Sequence, residues 1–270
     1  MQVSDLENKV CKWLKERGSV IVALSGGTDS SVIATYARKV LGDQMRAVTG
    51  VSPSLSPKEL DDILAICRRH EIPHERVTTH ELTQQDYIEN TPDRCFHCKH
   101  ELFSRLEEVR ARLGFACIVD GTHAGDLQGH RPGKRAGDAL GVRSPLAELG
   151  FDKADIRQLA THLGLANAMR PSQPCLSSRI AYGVAVTPER LEKVDRAEAF
   201  LKGLGFERVR VRLHDEIARI EVPPNRFPEF VEHAAQIQNE LKAIGFVWVS
   251  LDLGGLRSGS LLEILPDTPN

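Results

Sequence analysis

No apolar run in this chain of 270 residues is long enough to span a bilayer, which argues against a helical membrane anchor. The opening residues, Met1-Gln-Val-Ser-Asp-Leu-Glu-Asn-Lys, have neither an apolar leader core nor an arginine-rich amphipathic pattern, so a cytoplasmic location is expected. An excess of one charge is missing as well: 35 Lys and Arg stand against 37 Asp and Glu, for a net charge of −2. Nothing in that balance calls for a nucleic acid or an anionic membrane, and a small-molecule partner is favoured. Two common nucleotide signatures are absent. There is no G-x-x-x-x-G-K-[ST] loop and no G-x-G-x-x-G fingerprint, so neither a Walker site nor a dinucleotide fold is indicated. Internal repeats and low-complexity segments are lacking too. In a reducing compartment the six cysteines are expected as thiols, metal ligands or nucleophiles rather than disulfides.

What the chain does carry is an apolar strand running into a glycine turn that opens a helix: Val20-Ile-Val-Ala-Leu, then Ser25-Gly-Gly-Thr-Asp-Ser30. Gly26 and Gly27 permit backbone angles closed to other residues, so several N–H groups can converge on an anion at the positive end of the helix. Ser25 and Ser30 add hydroxyl donors. Asp29 would repel phosphate directly and makes sense as a magnesium ligand beside it. The pattern resembles the pyrophosphatase loop of the ATP-PPi synthetases, which implies transfer of AMP rather than of a phosphoryl group.

Strands and helices alternate through the first part of the chain. Strands are expected at Val20–Leu24, Met45–Val51, His74–Thr78 and Ala116–Asp120, with helices at Leu6–Arg17, Ser31–Leu41, Pro57–His70 and Lys99–Leu113. This is the mark of an α/β parallel sheet with helical crossovers, in which ligands bind past the carboxyl ends of the strands. The stretch from Asp126 to Pro145, rich in Gly, Arg and Lys and centred on Arg131-Pro-Gly-Lys-Arg135, reads as a loop. Asp152 is an expected N-cap for a helix ending near Leu163. A proline-rich segment, Arg170 to Arg179, follows it. Beyond Gly183 the pattern becomes helix Pro188–Leu204, strands Glu207–Leu213 and Ala218–Val222, helix Pro228–Ile244 and strand Phe246–Leu251. Two domains are therefore expected, 1–183 and 184–270, the second a small α+β unit with an antiparallel pair.

Cys95-Phe-His-Cys98 is expected in a loop leading into the helix at Lys99, and Cys175 lies far along the chain between prolines. Two neighbouring thiols and one remote thiol make three ligands, one short of a structural zinc site unless His97 or His123 completes it. Three thiolates with an open position suit a site-differentiated iron–sulfur cluster, although a lone C-x-x-C also fits zinc or a redox pair. Cys11, Cys67 and Cys117 sit within apolar patterns and read as core residues. Arg208, Arg210 and Arg212 alternate with Val209, Val211 and Leu213, which puts three guanidinium groups on one strand face. That face is either solvated or built for an anion, with Glu198, Asp215, Glu216 and Glu221 available as counter-charges.

Taken with Ala47-Val-Thr-Gly-Val-Ser-Pro-Ser-Leu, Pro92-Asp-Arg-Cys, Asp120-Gly-Thr, Arg143-Ser-Pro-Leu, Pro174-Cys-Leu-Ser-Ser-Arg-Ile and Arg210-Val-Arg, the whole chain resembles the LarE-type ATP-dependent sulfur transferases. The resemblance implies an adenine nucleotide alpha hydrolase-like (PP-loop) sheet with helices on both faces, followed by the small α+β domain. It implies an AMP-forming enzyme that converts the carboxylates of pyridinium-3,5-biscarboxylic acid mononucleotide to thiocarboxylates, on the way to the nickel-pincer nucleotide of lactate racemase. ATP and Mg2+ would be held by Ala23, Ser25, Gly26, Gly27, Asp29, Ser30, Gly50 and Gly121, with Lys99 near the adenylate. Substrate would meet Ser178, Arg179, Glu198, Arg210 and Arg212, the last two also counted as catalytic with Asp29 and Cys175. Family members with only the cysteine matching Cys175 give up its own sulfur, whereas this chain resembles the branch whose three cysteines, here Cys95, Cys98 and Cys175, hold a 4Fe-4S cluster. A homo-oligomer, specifically a hexamer, and handover to a nickel-inserting protein are also implied. A tRNA thiolase and a nucleotide-binding zinc module without catalysis stand as alternatives.

Overall fold

A computed structural model describes residues 2–127, 132–171, 174–257, 259–261 and 263. The chain divides into two compact units. The first comprises Met1–Glu81 and Asp93–Gln173, the second Leu82–Pro92 and Pro174–Asn270.

In the first unit the short apolar runs become strands because each is too brief for a helix and rich in β-branched residues. They are β1 (Val20–Ala23), β2 (Met45–Val51), β3 (His74–Thr78) and β4 (Cys117–Val119), all parallel, in the order β3-β2-β1-β4. Every residue of β1 is buried. Alternate side chains serve opposite faces of the sheet: Val20 and Val22 join a core with α1 (Val3–Arg17) and α2 (Thr28–Leu41), while Ile21 and Ala23 join a second core with Phe103 and Leu106. The sheet is thus covered on both faces, as a wholly parallel sheet must be.

Helix α3 (Pro57–Arg69) opens with a capping box between Ser56 and Glu59. The segment α4 (Gln85–Ile88) belongs to the second unit. Helix α5 covers Arg94–Leu113, so the expected loop around the cysteine pair is the helix's own first turn. A C-x-x-C spacing is also one helical turn, and the amides of Phe96 and His97 close that turn on the Asp93 carbonyl at 2.8 and 3.4 Å.

The stretch expected as a loop from Asp126 to Pro145 contains α6 (Pro132–Ala139) and, at its end, α7 (Pro145–Glu148); Arg131 lies outside the described residues. Gly133 and Gly137 serve packing rather than turning, for a Cβ on Gly133 would stand 3.1 Å from Lys99 Cγ and one on Gly137 3.4 Å from Phe103, while Gly141 takes φ +68° in the turn that follows. Helix α8 (Lys153–His162) has Asp152 as N-cap, as expected, in a reciprocal box with Asp155.

The second unit contains α9 (Pro188–Gly203), β5 (Arg210–His214), β6 (Ile217–Glu221), α10 (Phe227–Glu232), α11 (Ala234–Ile244) and β7 (Trp248–Leu251). Strands β5 and β6 form the expected antiparallel pair and β7 adds to β6 in parallel. The expected helix Pro228–Ile244 is two helices, interrupted at His233. Strand β5 begins at Arg210 rather than Glu207. Arg210 pairs with Glu221, and one register step beyond Val222 comes Pro223, which has no N–H to extend the ladder. Arg208 therefore lies outside the strand and is exposed.

The division differs from the expected boundary at Gly183: residues 174–183 and 82–92 both fall in the second unit. The Asn90 carboxamide explains why, donating to the carbonyls of Ile180, Ala181 and Val184 at 3.3, 2.8 and 2.9 Å. The amide of Val186 also bonds Ile88 O at 2.9 Å. Among the described residues no helix is long and apolar enough to cross a membrane.

Candidate active site

In the first unit, the glycine turn sits where β1 ends at Ala23. Leu24 is still tied to β2, its amide donating to Val48 O at 2.9 Å and its carbonyl accepting from the Thr49 hydroxyl at 2.8 Å. Gly26 then takes φ +77°, and a Cβ there would lie 2.6 Å from Ile63 Cγ1, so both conformation and space require glycine. Gly27 is the N-cap of α2.

Ser25 and Ser30 face each other across the turn, hydroxyl to hydroxyl at 3.1 Å, and Ser30 Oγ also meets the Gly27 carbonyl at 3.1 Å. Gly121, just past β4, approaches the same helix end so closely that a Cβ would lie 2.6 Å from the Ser30 amide nitrogen. Gly50 stands on β2, opposite Val77. These residues gather at the carboxyl edge of the sheet, beside helix amides that have no intrahelical acceptor, which suits an anion. Lys99 is on α5, with its ammonium 5.4 Å from the Phe103 ring centroid.

Asp29, in the first turn of α2, is gripped by Lys153, whose Nζ lies 2.5 and 2.8 Å from its two carboxylate oxygens. Sequence reasoning passed over Lys153. Its signal was a lysine on the first turn of a helix, where a cation opposes the positive end and needs a partner. Asn167 was missed as well and had no local signal. It is 2% exposed, donates to Gly26 O at 2.8 Å and Ser31 Oγ at 3.0 Å, and accepts from the Thr28 hydroxyl on its main-chain oxygen at 2.8 Å.

The second unit assembles Cys175, Ser178, Arg179, Glu198, Arg210 and Arg212. Cys175 is exposed and precedes a short 3-10 turn, Leu176–Arg179. Its carbonyl accepts from Ser178 Oγ at 2.7 Å and Arg179 Nη1 at 3.2 Å; Arg179 also bonds the Pro174 carbonyl. Buried Tyr87 meets buried Ser177 hydroxyl to hydroxyl at 2.5 Å, fixing the same turn from the 82–92 segment. These bonds hold the Cys175 backbone in place although the residue belongs to no helix or strand.

Behind the turn, Arg179 Nε and Nη2 donate to the two Glu198 oxygens at 2.8 and 3.2 Å, and the Val211 amide donates to Oε1 at 3.2 Å. Burial works against ionising Glu198, but the charge and hydrogen bonds of Arg179, with help from Lys202, hold its pKa below the usual carboxylate value. Arg212 is likewise internal, donating to Glu221 Oε2 at 3.0 Å and Ser178 O at 2.9 Å. Glu221 is fully buried and accepts from Ser260 at 2.6 Å.

Arg210 differs. Half-buried, it has no carboxylate bonded to it among the described residues, and burial, with Arg179 and Arg212 nearby, lowers its pKa from the ordinary arginine value. A partly desolvated guanidinium that feels Glu198 and Glu221 but has no carboxylate bonded to it among the described residues is suited to an incoming phosphate or carboxylate.

Cys95 and Cys98 occupy the first turn of α5 in the first unit, both half-buried, one turn apart on one helix side. The positive helix end suits thiolates. Cys175 is in the second unit. Among the described residues no group of three or more His, Cys, Asp or Glu side chains is drawn together closely enough to hold a metal ion. Cys67 and Cys117 have thiol pKa values pushed up by burial, Cys67 to about 11, as expected of core cysteines.

Comparison with known proteins adds to this geometry. The asparagine synthase family pattern matches residues 4–109, the part containing the glycine turn. An uncharacterised protein of Synechocystis, slr1717, is 42% identical over 98% of this chain and 99% of its own length. The pyridinium-3,5-bisthiocarboxylic acid mononucleotide synthase of Lactiplantibacillus plantarum is 37% identical over 93% of this chain and 92% of its own. One component of the glutamine-hydrolysing GMP synthase of Archaeoglobus fulgidus is 27% identical over 75% of this chain and 71% of its own.

Proposed function

Because the chain belongs to the family of the pyridinium-3,5-bisthiocarboxylic acid mononucleotide synthases, LarE-type proteins with a PP-loop domain, we propose that it is an AMP-forming sulfur transferase acting on the biscarboxylic acid precursor of that product. The observation that carries the reading is Arg210, a half-buried guanidinium with no carboxylate bonded to it among the described residues, in the unit that also presents Cys175. A pyridinium mononucleotide bearing two carboxylates and a phosphate supplies the anions that Arg210 lacks.

The chemistry runs in two steps. A substrate carboxylate oxygen attacks the α-phosphorus of ATP, forming an acyl-adenylate and expelling pyrophosphate. A sulfur nucleophile then adds to the activated carbonyl carbon, and AMP leaves with the carboxyl oxygen, so that C–S replaces C–O. The amides at the start of α2, which have no intrahelical acceptors, would take the polyphosphate. Asp29 fits magnesium, since its carboxylate already holds a cation, and the metal when bound neutralises phosphate charge. Lys153, the partner of Asp29 at this helix end, would be the cation available to the departing pyrophosphate.

For sulfur, the donor set Cys95, Cys98 and Cys175 fits a 4Fe-4S cluster with one open iron, which when bound supplies sulfide. Under this reading the enzyme is a cytoplasmic homo-oligomer, a hexamer, and passes its product to a nickel-inserting protein.

The test is pyrophosphate release by anaerobically purified protein on adding the pyridinium substrate with Mg-ATP. Substrate-dependent release with four irons per chain is expected. No release would sink the adenylation, and full thiocarboxylate formation by protein lacking both Cys95 and Cys98 would sink the cluster in favour of sulfur drawn from Cys175 itself.

A further inference from the structure

We propose that Asn167 is the positioning residue of the phosphate cradle, selecting the one orientation of the Gly26–Gly27 peptide that can receive an anion. The inference rests on the use of ATP by the first unit and concerns what holds the glycine turn in its working form.

Gly26 O is only an acceptor, so the Asn167 atom facing it at 2.8 Å is the amide nitrogen, and the direction of the carboxamide is fixed. That choice leaves Asn167 Oδ1 buried and without a partner among the described residues. A buried unpaired oxygen is a cost that an apolar side chain of similar size would avoid. The return on it is directional. In a trans peptide the C=O and the following N–H point to opposite sides. With Gly26 O held by Asn167, Gly27 N–H faces the opposite side, where its acceptor is Ser25 Oγ at a long 3.5 Å. Gly27 O is held in turn by Ser31 N at 3.1 Å, Ser31 Oγ at 2.9 Å and Ser30 Oγ at 3.1 Å, which pins the next peptide to the helix start.

Without Asn167 the turn has an easy alternative. Gly26, at φ +77°, has no Cβ to resist rotation of the peptide that follows, and a flip would present its carbonyl oxygen to the phosphates. The Thr28 hydroxyl, bonded to the main-chain oxygen of Asn167, and Ser31, sharing its amide, tie that residue to the helix start so that it cannot drift. Asn167 thus acts through Gly26 and Gly27 and touches no phosphate itself.

Calorimetric titration of the full chain with Mg-ATP, pyrophosphate and AMP tests this, alongside circular dichroism and thermal melting of each variant. Asn167→Ala is expected to weaken pyrophosphate and ATP about tenfold or more, as loss of an oriented donor should, while AMP, which lacks the terminal phosphates, changes by less than about twofold. Asn167→Asp has the same shape, but its carboxylate has no hydrogen to give Gly26. It should bind pyrophosphate worst at neutral pH and regain affinity as acid protonates the new carboxyl, a pH profile that neither wild type nor Asn167→Ala shares and that a merely structural role would not produce. Unchanged pyrophosphate binding in Asn167→Ala, an equal loss for AMP and pyrophosphate, or a flat pH profile in Asn167→Asp would each overturn the inference while leaving the ATP reading intact. Wild-type protein binding neither nucleotide nor pyrophosphate would overturn both.

Discussion

Lys153 and Arg210 are cations in opposite circumstances, and each has a measurable consequence. Lys153 grips both oxygens of Asp29. If it turns to the leaving pyrophosphate in the reaction, Lys153→Ala should lower the rate of pyrophosphate release about 10- to 100-fold, with Lys153→Arg keeping part of it; stopped-flow phosphate detection checks this. Arg210→Ala removes a charge with no carboxylate bonded to it among the described residues, so the fold should melt within a few degrees of wild type while the KM for the pyridinium substrate rises about tenfold or more. Glu198 is the reverse, a carboxylate wholly committed to internal bonds. Its pKa is depressed in the fold by Arg179 despite burial. The stability it adds is therefore present above the unfolded value, about 4.3, and is lost as the pH falls through the lower folded value. Acid titration followed by circular dichroism should show wild type losing stability below that range. Glu198→Gln should start less stable and show a shallower acid limb.

At the scale of elements, the glycine turn was legible in the sequence because everything that makes it is local: a buried strand, two glycines and a helix start within a dozen residues. The arginine strand was half legible, since alternation put Arg210 and Arg212 on one face but could not say that Pro223 ends the ladder before Arg208. What escaped was non-local. Asn167 and Lys153 acquire their roles only through partners far away in the chain, and no spacing rule reaches that distance. The loop expected at 126–145 failed for another reason, because Gly133 and Gly137 signal a turn in sequence yet serve close helix packing against α5. Two substitutions test the elements themselves. Asp152→Ala removes the side-chain half of a capping box and should cost about 1 kcal/mol in thermal unfolding, while loosening the helix end that carries Lys153. Gly121→Ala drives a methyl group against the Ser30 backbone, which has no rotamer to give, and should cost about 1–3 kcal/mol and raise the KM for ATP.

For the whole molecule, the division into units differs from a simple cut at Gly183. A fragment of residues 184–270 carries all three strands of the second sheet but lacks Asn90, Tyr87 and the Ile180 bridge to Leu213. It should show no cooperative melt by circular dichroism, and adding back residues 174–183 alone should not restore one. The reason is the interleaved order of the chain, in which Leu82–Pro92 is built into a unit whose remainder begins at Pro174. During synthesis this has a consequence for timing. The strip containing Tyr87 and Asn90 leaves the ribosome with its apolar and amide groups uncovered, and must wait for the second half of the message before anything can receive them. The first unit is complete once Gln173 has emerged, but the second cannot close until its early strip meets the chain from Pro174 onward, so the nascent chain should depend on holding factors more than its size suggests.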